Sequence, residues 1–347
     1  MLVEAFGPSQ VGAGAGGGDN GPVVDNLCHT LVGAACAEAG LKTRTRFGGA
    51  ALMVAANLPD LDVLVFATSI PPVSFRRGWT HGVIAQAVLP VALTGAFLLF
   101  DRLRRRRDGP PVHAGWLFAL SLVGVYSHVL LDFLNNYGVR LLAPFDWRWF
   151  YGDAVFIVDP WLWLSLGLGV WLSRRASRPA PARGALAFAT AYVVLMLLSA
   201  QAARSTVAST WSALRGVPEA ALASPRALMV GPMPVTPLTR AVIVDAGDHY
   251  ETGTFSWAGN ALTLDPVLIP KRDDAPEVRA ARDTPGIRGM LVWARFPFWQ
   301  VEPEGDRARV TLQDVRFLGQ AAARLAGAVV VPRPAGGGRG PGGQPGR

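Results

Sequence analysis

The sequence predicts a mainly α, multi-pass membrane helical bundle followed by a smaller, mainly β extracytoplasmic domain, and three observations carry that prediction. Half of the 347 residues are hydrophobic and 17% are charged, and the mean hydropathy of +0.28 is one that water-soluble domains rarely reach. Apolar runs recur through the first two-thirds of the chain, separated by arginine-rich turns. After residue 203 the composition changes to segments enriched in β-branched and aromatic residues with turn residues between them, the pattern of strands.

Taken in order, residues 1–24 are Gly-rich, carry Glu4 and Asp19, and contain neither a basic residue nor an apolar signal core, as expected of a disordered tail. The helical domain is assigned to 25–203. Its first helix, 27–41, is built from small residues, with His29 near its start and Glu38 near its end, and stops at a turn containing Lys42, Arg44 and Arg46. Cys28 and Cys36 lie two turns apart on it, too distant to bridge. The run 47–68 is long enough to cross a bilayer but holds Asn57, Asp60 and Asp62 around Pro59, which removes a backbone donor and breaks the helix. Irregular backbone at membrane depth usually lines a polar site.

A polar turn with Arg76 and Arg77 leads to Thr80 and His81 and then to a clear span at 82–100, followed by Arg102, Arg104, Arg105, Arg106 and Arg107. The span 116–134 carries His128 and Asp132 in its second half. The loop behind it, NNYGVRLLAPFDWRWFYGD, collects aromatic residues suited to a headgroup interface. The span 155–172 has Asp159 before Pro160, a favourable capping position, and ends at Arg174, Arg175, Arg178 and Arg183. The last span is 184–202. The positive-inside rule makes both large arginine loops cytoplasmic, which the even number of crossings between them allows. The net charge of +8 then reports topology and not a nucleic-acid partner. The intramembrane polar residues and the β domain, 204–332, fall on the outer side. Strands are expected at 240–244, 289–296 and 307–317, with turns at 245–248 and 304–306, and 333–347 reads as a Gly/Pro/Arg-rich tail.

His128 and Asp132, four residues apart, project from one helix face a turn apart. A carboxylate in a bilayer costs a few kcal/mol or more unless it is paired, hydrogen-bonded or bound to a cation. A His–Asp hydrogen bond joining helices would satisfy the pair equally well. With His29, Asp60, Asp62, His81 and Asp159, however, the chain gathers nitrogen and carboxylate donors without thiolate, a set suited to a divalent metal: zinc first, manganese or iron as alternatives. In that reading His29, Asp60, His81, His128 and Asp132 are metal ligands, and Asp62 or Asp159 is the general base or a second-metal ligand. Arg76, Arg77 and Arg140 either hold a substrate phosphate or anchor the chain among headgroups. Glu38 reads as a salt-bridge partner of the basic turn, and His113 and His249 lie away from the set.

The motifs HTLVG at 29–33, NLPDLD at 57–62, RGWTH at 77–81, HVLLD at 128–132 with NYG at 136–138, and VDP at 158–160 occur in an order that resembles the membrane-bound, metal-dependent hydrolase family known as YdjM, some bacterial members of which are described as LexA-regulated. The resemblance covers about residues 25–203 and implies an inner-membrane protein with a metal centre. More distantly, the succession His29, Asp60, His81, His128 and Asp132 looks like the ligand order of the zinc-dependent phospholipase C and S1/P1 nuclease group, which cleaves phosphate esters. The sequence departs from that pattern after Asp132, where no second His-x-x-x-Glu/Asp pair follows.

The expectation is a hydrolase of a phosphate ester, a lipid or lipid-linked substrate at the outer face of the cytoplasmic membrane, with membrane lipids as its other partners. Two other classes remain open. Broken helices with midplane carboxylates also mark ion-binding transporters, although no inverted repeat of the break is visible, and buried polar groups can simply join helices in a structural membrane protein.

Overall fold

The computed structural model describes residues 25–68, 70–104, 110–318 and 326–333; the expected tails at 1–24 and from 334 onward, and Arg105 to Arg107, lie outside the described residues. Helices α1 (Asn26–Glu38) and α2 (Gly48–Ala55) form a hairpin around a 3-10 turn, Leu41–Arg44. Asp25 caps α1 by accepting the Cys28 N–H at 2.9 Å. The proline break appears where expected: the chain tightens into a 3-10 stretch, Leu58–Ala67, bent by 48° from α2. A short helix α3 (Pro72–Phe75) precedes the long pair α4 (Val83–Leu103) and α5 (Ala114–Leu134), and α6 (Pro160–Ala176) and α7 (Ala180–Arg215) complete the bundle. Among the described residues, α4, α5 and α7 are long and apolar enough to cross a membrane, and the bent α2 pair is a fourth candidate. Helix α6 starts at Pro160, five residues later than the apolar run, because Asp159 caps it.

The basic turns gather at one end of the bundle. Arg46 pairs with Asp101 at 2.8 Å, the His113 N–H donates to Thr45 Oγ1 at 2.9 Å, and the Arg183 Nε–H reaches the Ala39 carbonyl at 2.9 Å. Glu38 is the expected salt-bridge partner, of Lys42 and of Arg174. Small residues let the helices approach closely: a Cβ on Gly124 of α5 would lie 2.5 Å from Ala55 Cβ, and one on Gly169 of α6 would lie 2.3 Å from Ala185 Cβ.

Helix α7 does not end near 202. It continues to Arg215, where Gly216 at φ +66° terminates it. Ala203, Val207 and Trp211 recur every four residues, and this stripe packs on Leu228, Val230, Val242 and Phe255 of the β domain. The Trp211 indole and Arg215 both donate to the buried Glu251 carboxylate, at 3.0 and 2.9 Å. One continuous helix therefore links bundle and β domain.

The β domain holds two antiparallel sheets. The first runs β1 (Leu228–Pro232), β2 (Thr239–Asp245), β3 (His249–Ser256) and β4 (Ala261–Leu264), with β5 (Ile269–Pro270) also paired to β3; the second runs β6 (Pro297–Glu304), β7 (Arg307–Asp314) and β8 (Gly327–Pro332). The turns at 245–248 and 304–306 connect hairpins as expected. The strand expected at 289–296 is instead helix α9 (Pro285–Trp293), preceded by a helix α8 (Pro276–Arg282) that the sequence reading did not foresee. Proline at the first position and Ile287, Met290 and Trp293 at helical spacing decide that segment, whose short apolar run is ambiguous by itself. The strand expected at 307–317 stops at Asp314, whose side chain caps a 3-10 turn.

This domain sits on the end of the bundle opposite the basic turns. Fully buried Arg240 donates to the carbonyls of Asp153 at 3.0 Å and Met196 at 2.9 Å, and burial lowers its pKa to about 10. Arg295 makes a two-pronged pair with the Asp153 carboxylate, both contacts at 2.9 Å. Since Gly124 admits α5 to α2, Gly124→Leu should force the two apart, lowering the thermal unfolding midpoint of the detergent-solubilised protein by an amount corresponding to about 1–3 kcal/mol; an unchanged midpoint would show that this approach is not needed.

Candidate metal centre

Helix α5 carries His128 and Asp132 on its inner face, the proline-broken stretch carries Asp60, and the turn before α4 carries His81; all four are buried. The close approach at Gly124 places His128 Nδ1 2.8 Å from the Ala56 carbonyl. A carbonyl only accepts, so Nδ1 bears the proton and Nε2 faces inward with its lone pair. His81 is oriented in the same way from behind: its Nδ1 lies 2.9 Å from Thr80 Oγ1 and 3.6 Å from Asp62 Oδ2, while Thr80 donates to Asp62 at 3.2 Å.

The two imidazole Nε2 atoms are 3.1 Å apart. Asp132 Oδ2 is 3.1 Å from His81 Nε2 and 3.7 Å from His128 Nε2, and Asp60 Oδ1 is 4.0 Å from His128 Nε2. Ligands on a tetrahedral metal at about 2.0–2.1 Å are roughly 3.3 Å from one another, so the nitrogens have the separation of shared ligands, although a shared proton would also hold them. One donor atom from each of Asp60, His81, His128 and Asp132 falls within 4.8 Å of all the others. Among the described residues, Asp60 Oδ2 and Asp132 Oδ2 are buried without an aligned hydrogen-bond donor. Orphaned carboxylate oxygens in an apolar bundle are costly, and a cation between two imidazoles would remove that cost. The residues thus fit a divalent metal held by two nitrogens and two carboxylates.

His29, expected as a fifth ligand, lies beside this group and not within it. Its ring stacks on His128 with centroids 3.8 Å apart, its Nε2 is 3.7 Å from Asp132 Oδ1, and its Nδ1 is buried without a hydrogen-bond partner among the described residues. Asp62 is enclosed by donors: Arg76 Nε at 3.0 Å, the Arg77 N–H at 2.8 Å and the Thr80 hydroxyl. Its role here is to order the turn that bears His81. Asp159 accepts the N–H groups of Trp161 and Leu162 at 3.0 and 3.1 Å and the Tyr192 hydroxyl at 2.9 Å. It also borders a cavity of about 20 Å³, shared with Asp25, Cys28, His29, Asp132 and Asn135, which has room for about one water.

The three arginines expected on the substrate are engaged with the protein instead. Arg76 pairs with Asp60 at 3.1 Å as well as with Asp62, and Arg77 pairs with Asp132 Oδ1 at 2.8 Å and donates to Asn135 Oδ1 at 3.1 Å. Arg140 donates to the carbonyls of Ser74, Phe75 and Arg76 and stacks on Trp147 and Trp149; burial lowers its pKa to about 10. Buried carboxylates and carbonyls require donors, and these guanidinium groups are the donors at hand.

Asp25, and Thr80 as a site residue, are not among the groups that the sequence singles out. Asp25 stands four residues before His29, the spacing that drew attention to His128 and Asp132, and Thr80 adjoins His81 in the same short motif. If Thr80 orients His81, Thr80→Val should weaken binding of a divalent metal by about 10-fold or more, as removal of such a supporting partner generally does, and isothermal titration of the purified protein would measure it.

Comparison with known proteins agrees with the helical part of the chain. The uncharacterized protein YfhP of Bacillus subtilis (strain 168) is 25% identical over 124 residues, which are 35% of this chain and 36% of that protein, so the similarity spans about a third of either. No solved structure matches, and the distant resemblance to the phospholipase C and S1/P1 nuclease group finds no support. Residues 24–203, from just ahead of the α1 cap into α7, match the family described as YdjM inner membrane protein. That stretch contains every residue of the metal-ligand candidate set and just over half of the chain, and the protein belongs to the YdjM inner membrane protein family.

Proposed function

We propose that the protein is a membrane-embedded, metal-dependent hydrolase of a phosphate ester whose substrate is a lipid or lipid-linked molecule. The observation that carries this reading is the buried group of Asp60, His81, His128 and Asp132, drawn from three segments, in which Asp60 Oδ2 and Asp132 Oδ2 have no aligned hydrogen-bond donor among the described residues. When bound there, a divalent ion such as zinc would lower the pKa of a water and offset charge developing on a phosphoryl oxygen. The chain's own contribution is to hold the imidazoles by Ala56 and Thr80, and to keep Asp132 Oδ1 on Arg77 so that Oδ2 faces the group. Asp159 is a better candidate than Asp62 for the proton acceptor, because it borders the water-sized cavity and Asp62 does not. A cleft of about 420 Å³, lined by Met229, Ile243, Tyr137 and Phe317, shares Phe156 and Ile157 with that cavity, which favours a substrate with an apolar portion.

A second reading, a structural membrane protein, is favoured by the ion pairs of Arg76 with Asp60 and Arg77 with Asp132, which satisfy part of the buried charge without metal. Metal analysis separates the two. The hydrolase reading expects about one or two bound divalent ions per chain, lost together with phosphatase activity on a lipid phosphate in His128→Ala, while Asp159→Asn retains the metal and loses activity. A protein that carries no metal and recovers none on reconstitution is structural.

The orientation belongs to the same proposal: the basic turns cytoplasmic, the metal centre and β domain outside. A reporter joined after Gly216 should behave as extracytoplasmic, and a cytoplasmic signal would reverse the assignment.

A further inference from the structure

The β domain lies beyond the family-matched residues 24–203, yet its side chains close around the loop that follows Asp132. Arg77, which pairs with Asp132, also donates to Asn135 Oδ1 and to the Gly138 carbonyl at 3.4 Å, and its guanidinium lies over the Tyr137 ring at 5.4 Å. Asn135 Oδ1 in turn accepts the Tyr137 N–H at 2.9 Å. The other side of this loop is held by the β domain. Arg316 donates to the Asn136 carbonyl at 2.7 Å, and the Trp293 indole donates to the Tyr137 carbonyl at 3.3 Å. Phe317 and Trp293 lie 4.8 and 5.5 Å from the Tyr137 ring.

Arg316 is itself immobilised. Its side chain is fully buried and forms a two-pronged pair with Asp314, at 3.0 and 2.8 Å; it also donates to the Trp293 carbonyl and stacks on Trp293 at 4.6 Å. An arginine so fixed at one end, with one remaining Nη directed at a loop carbonyl, sets the position of that loop.

We propose that Arg316 and Trp293 of the C-terminal domain are positioning residues for the metal centre: by holding Asn136 and Tyr137 they keep Arg77 on Asp132 Oδ1 and leave Oδ2 turned toward the two histidines. This rests on the metal-binding reading above. The β domain is then part of the scaffold of a site whose ligands all lie in the bundle.

Cobalt(II) is a suitable probe, because its visible spectrum reports ligand geometry independently of activity. The full-length protein in detergent would be titrated with cobalt(II) alongside Trp293→Phe and the paired variant Arg316→Met with Asp314→Asn, which removes both charges together and avoids leaving a buried carboxylate unpaired. The paired variant should lose about 10- to 100-fold in cobalt affinity with an altered visible spectrum, and Trp293→Phe should change both in the same direction by less. Arg309→Met, which removes an exposed ion pair with Glu304 on the same sheet, should match the wild type. Variants whose cobalt affinity and spectrum equal those of a wild type that binds cobalt overturn the proposal and leave the metal reading standing. Should the paired variant not fold, Trp293→Phe alone decides by the same criterion. A wild type that takes up no cobalt overturns the metal reading, and this proposal with it.

Discussion

The carboxylate of Asp132, buried in the last turn of an apolar helix, is the constraint around which the bundle is arranged. An isolated ionised carboxylate there would cost several kcal/mol. Each neighbouring element supplies something toward it: Arg77 from the turn before α4, His81 from the same turn, and His128 from one turn earlier on α5. Arg77 occupies one oxygen and leaves the other facing two imidazole nitrogens. That asymmetry separates a site able to take a cation from a closed ion pair, and it is why the group can be read as a metal centre even though two arginines already lie within it.

Backbone features make the arrangement reachable. Pro59 ends the regular helix after α2 and turns Asp60 and Asp62 inward through a 3-10 stretch. Gly124 lets α5 come close enough to α2 for His128 to meet the Ala56 carbonyl. Asp62, enclosed by Arg76, Arg77 and Thr80, then carries order from the proline break to the turn that holds His81. The three short motifs that meet here are far apart in the chain and act as one polar layer at the end of the bundle nearest the β domain.

That domain is joined to the bundle twice, through the continuous helix α7 and through buried arginines. Arg240, Arg295 and Arg316 each leave the β domain to hold backbone or carboxylate groups of the bundle, at Met196 within α7 and at Asp153 and Asn136 in the loop between α5 and α6. Polar interfaces of this kind are specific in geometry, because each fork of donors must find its acceptors. They tie the loop after Asp132 to the two sheets.

How much of this was legible in the sequence follows from which forces are local. The proline break, the basic turn at 42–46 and the hairpin turns at 245–248 and 304–306 are set by neighbouring residues, and they appear in the structure where the sequence placed them. The pairing of His128 with Asp132 was readable because helical periodicity places residues four apart on one face. The meeting of that pair with Asp60 and His81 was an expectation from the cost of burying each polar group, and only tertiary packing could produce it. Tertiary structure alone decided the rest. Helix α7 continues past 203 because its apolar stripe finds a sheet to cover, and 285–293 coils because Ile287, Met290 and Trp293 find a common face to pack on. His29 stands beside the group of Asp60, His81, His128 and Asp132 with its ring stacked on His128. Arg76, Arg77 and Arg140 turn inward because buried oxygens lacked donors. A sequence shows which groups must be satisfied; which partner satisfies them depends on what lies within about 3 Å in the folded chain.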